Sequence, residues 1–292
     1  MNIFISGASG YLGSHLAKEL SRQHQVVALV RKTSSRDRIK DLPIEIVNHD
    51  YESNLENAFE KYAPDVVINT AGVYGRKGES LSALIEANIA FPANLLCMAK
   101  KYNAKAFINT GTSLPSTVSL YAKSKNTFVE LASLHEDFKG KNSNAKRLKF
   151  INIALEHFYG PKDDSQKFTS YVMNACIKNQ KLALTEGQQK RDFIFIDDVI
   201  SAYDVIIENL NMCTSFETIA VGSGIAPTVK EFVQLVHSCC KSDALLDFGA
   251  VPMRKDELMY SCANTLRLEQ LSWHCHYSLL QGINATLKRE KS

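Results

Sequence analysis

Short, continuous apolar runs recur along the first half of this chain: "NIFIS", "QVVALV", "IEIV", "DVVIN", "KAFIN" and "LKFINIAL". They do not alternate apolar with polar. Runs of this kind, bounded by Gly, Asn or Asp, are the form of strands buried on both faces, as in a parallel sheet. The segments between them have helical spacing. Leu12, Leu16 and Leu20 fall on one face of "YLGSHLAKELSRQ". "LENAFEKYA", "LSALIEANIAFPANLLCMAKKY" and "LYAKSKNTFVELASLHEDF" read as further helices. The second of these is expected to break or kink near Pro92, which has no N–H to donate. Alternation of this kind predicts an α/β fold, a doubly wound parallel sheet, over residues 1–155.

Beyond residue 155 the pattern loosens. "GPKDDSQ" reads as a loop and "KFTSYVMNACIKNQ" as an amphipathic helix. "RDFIFIDDVISAYDVIIENL" reads as a strand running into a helix, "FETIAVGSG" as a strand and "TVKEFVQLVHSCC" as a helix. "TLRLEQLSW" and "LLQGINATLKRE" read as two more helices. Residues 156–292 are therefore expected to form a smaller lobe, with some elements returning to the sheet.

Composition changes this picture little. Hydrophobic residues make up 45% and charged residues 22% of the 292 residues, with a formal net charge of +3. That charge is too small to call for nucleic acid or a membrane surface as a partner. The seven cysteines form no Cys-x-x-Cys pair, which fits thiols in a reducing cytosol. In "WHCHY", His274, Cys275 and His276 are consecutive and cannot all converge on one ion, so no metal is expected. The first apolar run stops at Gly7, too soon for a signal peptide, and no run reaches membrane-spanning length. A cytoplasmic protein is the expectation.

Candidate chemistry begins where the first strand ends, at Gly7-Ala8-Ser9-Gly10-Tyr11-Leu12-Gly13. Glycines permit a tight turn and a close backbone approach to a pyrophosphate, and the following helix offers its unpaired N–H groups to the anion. Strand, glycine turn and helix in that order predict a Rossmann-type dinucleotide site. The second strand ends in Val30, Arg31 and Lys32 with no acid to accept ribose hydroxyls. A guanidinium there can hold a 2′-phosphate, which favours NADP(H), although a solvated basic loop reads the same way. Asp50 and Tyr51 are placed to meet the adenine. Ala71 and Gly72, after the fourth strand, are placed to line the cofactor. Tyr74 and Ser113 are candidates to meet substrate.

Of eleven tyrosines, only Tyr121 has a lysine four residues on, at Lys125. Positions i and i+4 share a helix face, and an ammonium beside a phenol favours the phenolate. Thr112, just past the fifth strand, can hydrogen-bond a substrate oxygen. Alone, the pair is equally an exposed helix face. Placed after a nucleotide cradle it reads as a proton donor and its tuner.

"GASGYLG", "TAGVYG", "TGTS", "YAKSK", "LEHFYGP", "QKRDFIFIDDV" and "MRKDELMYSCA" together resemble the extended short-chain dehydrogenase/reductase (NAD-dependent epimerase/dehydratase) superfamily along nearly the whole chain. The resemblance implies Thr112, Tyr121 and Lys125 as catalytic residues and nucleotide-activated sugars as substrates. It implies that Arg191, and Arg254 with Glu257, meet a substrate diphosphate, with His157 near the phosphates. Lys167 and Phe168 could pack on the base, or serve as helix core. Homodimerisation through the helices near 80–102 and 121–139 is also implied. Members usually carry a longer segment between the hydroxyl residue and the tyrosine than residues 113–120. Dehydratases of the superfamily follow that hydroxyl residue with Asp and Glu, whereas here Ser113, Leu114 and Pro115 follow. The likeness thus implies NADPH-dependent reduction of a CDP-activated keto-deoxysugar.

Overall fold

In the computed structural model of the chain, residues 1–49, 55–135 and 148–290 are described. They divide into two compact units, Met1–Ala154 with Tyr203–Ile219, and Leu155–Ala202 with Ala220–Ser292.

The first unit is built on a seven-stranded sheet of β1 (Asn2–Ser6), β2 (Gln25–Arg31), β3 (Glu45–His49), β4 (Val66–Asn69), β5 (Ala106–Thr110), β6 (Lys149–Leu155) and β11 (Phe216–Val221). The order across the sheet is β11-β6-β5-β4-β1-β2-β3. The reversal at β1 produces the crevice at the strands' carboxyl ends where such folds bind ligands. Pairing is parallel from β6 to β3. Phe150 N–H to Ser215 O and Glu156 N–H to Val221 O keep one offset, as a parallel pair does. Phe4, Val27, Val67, Phe107 and Phe150 carry one face of the sheet against Phe59, Phe91, Leu95 and Phe128 of the helices. The Phe150 ring stacks on Phe107 at 5.7 Å and on Phe216 at 5.0 Å. Each such ring contributes about 1.5–3 kcal/mol by leaving water.

One row of this core is polar. Ser6 Oγ donates to Asn69 Oδ1 at 2.7 Å, Asn69 Nδ2 to Asn109 Oδ1 at 3.0 Å, and Asn109 Nδ2 to Asn152 Oδ1 at 3.0 Å. Asn152 Nδ2 reaches Thr218 Oγ1 at 3.5 Å. Ser6, Asn69, Asn109 and Asn152 face one another in strict register. A one-residue slip of any strand would set an amide against an apolar side chain, so the row pins the register.

Four helices of this unit carry or support the candidate site: α1 (Tyr11–Leu20), α2 (Leu55–Tyr62), α3 (Leu81–Lys101) and α4 (Leu120–Leu134). α3 carries the interruption expected near Pro92 as a local change of turn rather than as an end. It absorbs the proline as a π turn over Glu86–Ala90, with Phe91 N–H bonding back five residues to Glu86 O. The wider turn relieves the clash between the proline ring and the preceding carbonyls. By length and composition α3 could cross a membrane. Here its Leu84, Ala87, Phe91, Leu95 and Ala99 are buried in the protein.

In the second unit, β7 (His157–Tyr159) pairs with β10 (Phe193–Phe195), β8 (Leu182–Leu184) with β12 (Leu246–Phe248), and β9 (Lys190–Arg191) with β13 (Tyr260–Ser261), all parallel. Except for the run that forms β10, these strands are too short for periodicity to reveal. Two acids fasten the loops. Asp192, fully buried, accepts from the N–H groups of Ser223, Gly224 and Ala263. Asp198 accepts from the N–H groups of His276 and Tyr277, and Cys275 Sγ lies 3.2 Å from it. The "WHCHY" stretch is thus fastened by a carboxylate. Among the described residues no cluster of His, Cys, Asp and Glu is placed to hold a metal.

Asn109→Leu leaves a buried amide donor on Asn69 and an acceptor on Asn152 without partners. Urea denaturation is expected to show a loss of about 2–4 kcal/mol, against less than about 0.5 kcal/mol for Cys97→Ser at an exposed position.

Candidate active site

The glycine turn after β1 is closed by Gly10 N–H to Gly7 O at 2.9 Å. Gly7 has φ +72°, and a Cβ there would stand 2.7 Å from Ala71 N. A Cβ on Gly13 would collide with Gly7 O and lie 2.7 Å from Thr70 Oγ1. The backbone is therefore packed as tightly as it can be, which only glycine allows. No side chain caps α1 at Gly10, and its first turn carries no acid, so its N–H groups remain available to an anion. A cleft of about 160 Å³ opens there, lined by Gly7, Ser9, Gly10, Arg31, Ala71 and Gly72 among others. Leu12 and Gly13 are buried in the helix below it. These features fit a dinucleotide pyrophosphate.

Arg31 lines the cleft and Lys32 is exposed beside it. Two further arginines follow in the next segment. Arg36 bonds Asn48 Oδ1, and the Arg38 guanidinium lies 5.1 Å from the centre of the Tyr11 ring. Asp50 and Tyr51 lie outside the described residues.

Past β5, Gly111 leaves room for the Asn152 amide, and Thr112 follows, half-buried. Thr112 Oγ1 accepts the Leu114 N–H at 3.2 Å, which leaves its own proton free to donate elsewhere. The short segment 113–120 is held against α4 by Asn126 Nδ2 to Leu114 O at 2.9 Å. Ser119 then caps α4, accepting from Ala122 N at 3.1 Å. Tyr121 and Lys125 stand one turn apart at the start of α4. Ser113 Oγ is buried nearby with no hydrogen-bond partner among the described residues.

The electrostatics differ from the sequence expectation. Burial, with the Tyr74 hydroxyl beside it, pushes the Tyr121 phenol well above its ordinary range, and Lys125 does not oppose this. Lys125 is itself enclosed, 4% exposed, and burial lowers its pKa to about 8. Its Nζ reaches Ala71 O at 3.5 Å. Desolvation is the leading cause of both shifts, since losing water disfavours the charged form of either group. The Tyr74 ring stacks on Tyr121 at 4.6 Å, an arrangement that sequence spacing could not show.

The remaining candidates belong to the second unit. Arg191, buried, bonds Glu257 Oε1 at 2.8 Å, whereas the sequence grouped Glu257 with Arg254. Arg254 is exposed. His157 Nδ1 lies 3.7 Å from the carboxylate of Glu156, which accepts the Ser261 hydroxyl at 2.8 Å. Lys167 is committed to Asp163 at 2.8 Å and lies 3.7 Å from the centre of the Phe158 ring. Phe168 is 39% exposed, with its ring centre 6.2 Å from that of Phe232.

The sequence model of the NAD dependent epimerase/dehydratase family matches residues 3–222. The chain belongs to that family. It is 32% identical over 302 residues to the CDP-abequose synthase of Salmonella typhimurium, covering 98% of this chain and 97% of the relative. To the CDP-abequose synthase of Salmonella muenchen it is 30% identical over 298 residues, covering 99% and 98%. Among solved structures, the UDP-glucose 4-epimerase of Thermotoga maritima superposes with a TM-score of 0.84 at 19% identity, covering 100% and 99% of the two chains. At that identity the match speaks for the fold alone.

Two contributors in this family member escaped the sequence reading. Asn88, in the π turn, bonds both backbone groups of Val73 at 2.9 Å and Ser124 Oγ at 2.9 Å. Tyr203 bonds Thr110 Oγ1 at 2.7 Å beside the tyrosine pair. Their only prior signals were an Asn amid an apolar helix and a Tyr after an acidic helix start.

Lys125 yields a pH test with a definite sign. Its folded pKa of about 8 lies below the unfolded value of 10.5. Burial therefore penalises folding in full below pH 8, and the penalty fades as pH rises to 10.5. Lys125→Met is expected to stabilise the protein by up to about 3 kcal/mol at pH 7. The gain should vanish towards pH 10.5 in denaturation measured across that range.

Proposed function

We propose that this protein is an NADPH-dependent ketoreductase of nucleotide sugars. Its substrate in this reading is CDP-4-dehydro-3,6-dideoxy-D-glucose and its product CDP-paratose, a precursor for O-antigen synthesis in the cytoplasm. The observation that carries the reading is the segment after β5: Thr112 has a proton free to donate, Ser113, Leu114 and Pro115 supply no carboxylate for loss of water, and the Asn126 amide holds Leu114 against the helix that carries Tyr121 and Lys125. A second reading, CDP-abequose with the opposite C4 configuration, is favoured by the names of the relatives at 30–32% identity.

The glycine cradle and α1 would hold the pyrophosphate of NADPH, and Arg31 its 2′-phosphate. When bound, the dihydronicotinamide supplies the hydride. Thr112 donates a hydrogen bond that orients the C4 carbonyl oxygen. Tyr121 gives that oxygen its proton, and the same polarisation makes the carbon electrophilic. Lys125, released from the Ala71 carbonyl, offers a donor to the nicotinamide ribose. Its charge would then favour the Tyr121 phenolate left behind. In the second unit, Arg191 and Arg254 are the groups suited to a diphosphate. Pairing with Glu257 holds the Arg191 fork in place.

The exposed apolar residues Leu81 and Ile85 on α3, and Leu120, Leu131 and Leu134 on α4, suit a homodimer formed through these helices. Replacing Leu131 and Leu134 together with Glu is expected to shift sedimentation to the monomer.

Incubation with the CDP-linked keto sugar should oxidise NADPH, read by absorbance, and NMR of the C4 hydroxyl distinguishes paratose from abequose. No oxidation would refute the reductase. Tyr121→Phe is expected to lower turnover by about 10³-fold while NADPH binding stays intact. Arg31→Ala should weaken NADPH by about tenfold and leave NADH unchanged.

A further inference from the structure

Arg191 and Arg254 suit any diphosphate, so they do not tell one nucleotide from another. The segment just before Arg191 holds groups that can. Gln189 is 9% exposed, and its Oε1 has no hydrogen-bond partner among the described residues. A carboxamide oxygen taken out of water without a donor is an unmet demand, which an N–H group of a ligand would satisfy. The Nε2 of the same side chain reaches Thr185 Oγ1 at 3.5 Å. That Oγ1 also accepts the Gly187 N–H at 3.3 Å. With both lone pairs engaged, the half-buried Thr185 hydroxyl has only its proton to offer. Thr185 and Gln189 thus present a donor and an acceptor side by side.

The backbone holds the two in place. Thr185 follows β8, and Gly187, with φ +71°, turns the chain between them. A Cβ on Gly187 would stand 2.9 Å from Lys230 N, so the turn lies tight against the helix Val229–Cys240. Gly187 O accepts the Lys230 N–H at 3.0 Å, and Gln189 O accepts the Val229 N–H at 2.9 Å. Burial then alternates along the chain: Gln189 and Arg191 are buried and Lys190 is exposed. Gln189 and Arg191 therefore lie on one face of an extended segment. Two residues of such a segment span about 6.6 Å, roughly the width of the ribose between a nucleotide's phosphate and its base. A diphosphate on Arg191 sets a base beside Gln189 and Thr185.

We propose that Thr185 and Gln189 form a base-recognition site and select cytosine over uracil. The inference rests on the reading of the ligand as a nucleotide diphosphate held by Arg191. Thr185 donates to ring N3 of cytosine, and Gln189 Oε1 accepts from the N4 amine. Uracil carries N3–H where the hydroxyl donates and a carbonyl oxygen at C4 where the amide accepts, so both contacts turn repulsive. Gln189 Nε2 and the Gly187 N–H act at one remove. By filling the lone pairs of Thr185 they keep its proton for the ligand.

Calorimetric titration of the full chain with CDP and with UDP measures the selection without turnover. CDP is expected to bind at least about 20-fold more tightly than UDP. Thr185→Val keeps the shape of the side chain and removes the hydroxyl. It should weaken CDP by about tenfold and leave UDP no weaker. Thr185→Ser, which retains a hydroxyl, should retain the preference. Gln189→Met keeps the length of the buried side chain and should erode the preference as Thr185→Val does, with NADPH binding in the other unit unchanged. A merely structural role would weaken both nucleotides by one common factor in these variants, and that result would overturn the proposal. So would equal affinity for the two nucleotides in the wild type, a preference for UDP, or failure of both to bind. Reduction of the CDP-linked keto sugar combined with equal affinity for CDP and UDP would sink the base selection alone. A preference for CDP without oxidation of NADPH would sink the reductase reading alone.

Discussion

The register of the parallel sheet is the constraint on which the site depends, and a row of buried amides sets it. Ser6, Asn69, Asn109 and Asn152 bond one to the next across four strands, in the layer just beneath the strands' carboxyl ends. The residues after the first three of them carry or support the candidate site. Gly7 makes the tight turn into α1, Thr70 packs on it and bonds Ser6 O at 2.7 Å, and Thr110 precedes Gly111 and Thr112. Apolar side chains alone would hold the layers together but tolerate a slip of strand against strand. A hydrogen-bonded row does not, because each buried amide must find its partner.

A second amide does for the loops what the row does for the strands. Proline at position 92 obliges α3 to widen, and the π turn so formed contains Asn88. From there Asn88 ties the loop after β4 to α4. Tyrosine, lysine and their neighbours are therefore held by groups that carry no chemistry of their own. The enclosure that results also sets the electrostatics. Burial holds the Tyr121 phenol above its ordinary range and lowers the Lys125 pKa to about 8. The stored penalty on Lys125 is of the kind that binding sites carry in exchange for function.

Much of this was legible in the residues. Continuous apolar strands alternating with amphipathic helices have few folded solutions, so the doubly wound sheet followed from pattern alone. The glycine cradle was equally legible, because glycine at Gly7 and Gly13 answers to backbone geometry that no other residue satisfies. Thr112, Tyr121 and Lys125 were singled out by their place after a strand and at a helix start, and the fold sets them there. The short strands of the second unit were hidden, since two or three residues give no period. Asn88, the amide row and Tyr203 were hidden for another reason: their partners are 15 to 93 residues away in sequence.

The sequence by itself determined the layer architecture, the family and the close-packed glycine turn, because each depends on local periodicity or on the absence of a Cβ. Tertiary structure alone decided the charge states and the contacts of the reactive groups. Lys125 four residues after Tyr121 promised a lowered phenol pKa, yet partial burial and the neighbouring Tyr74 raise it. Spacing along a helix says which side chains are neighbours. How much solvent they keep, and which third residue stacks upon them, is settled only when distant segments close over them.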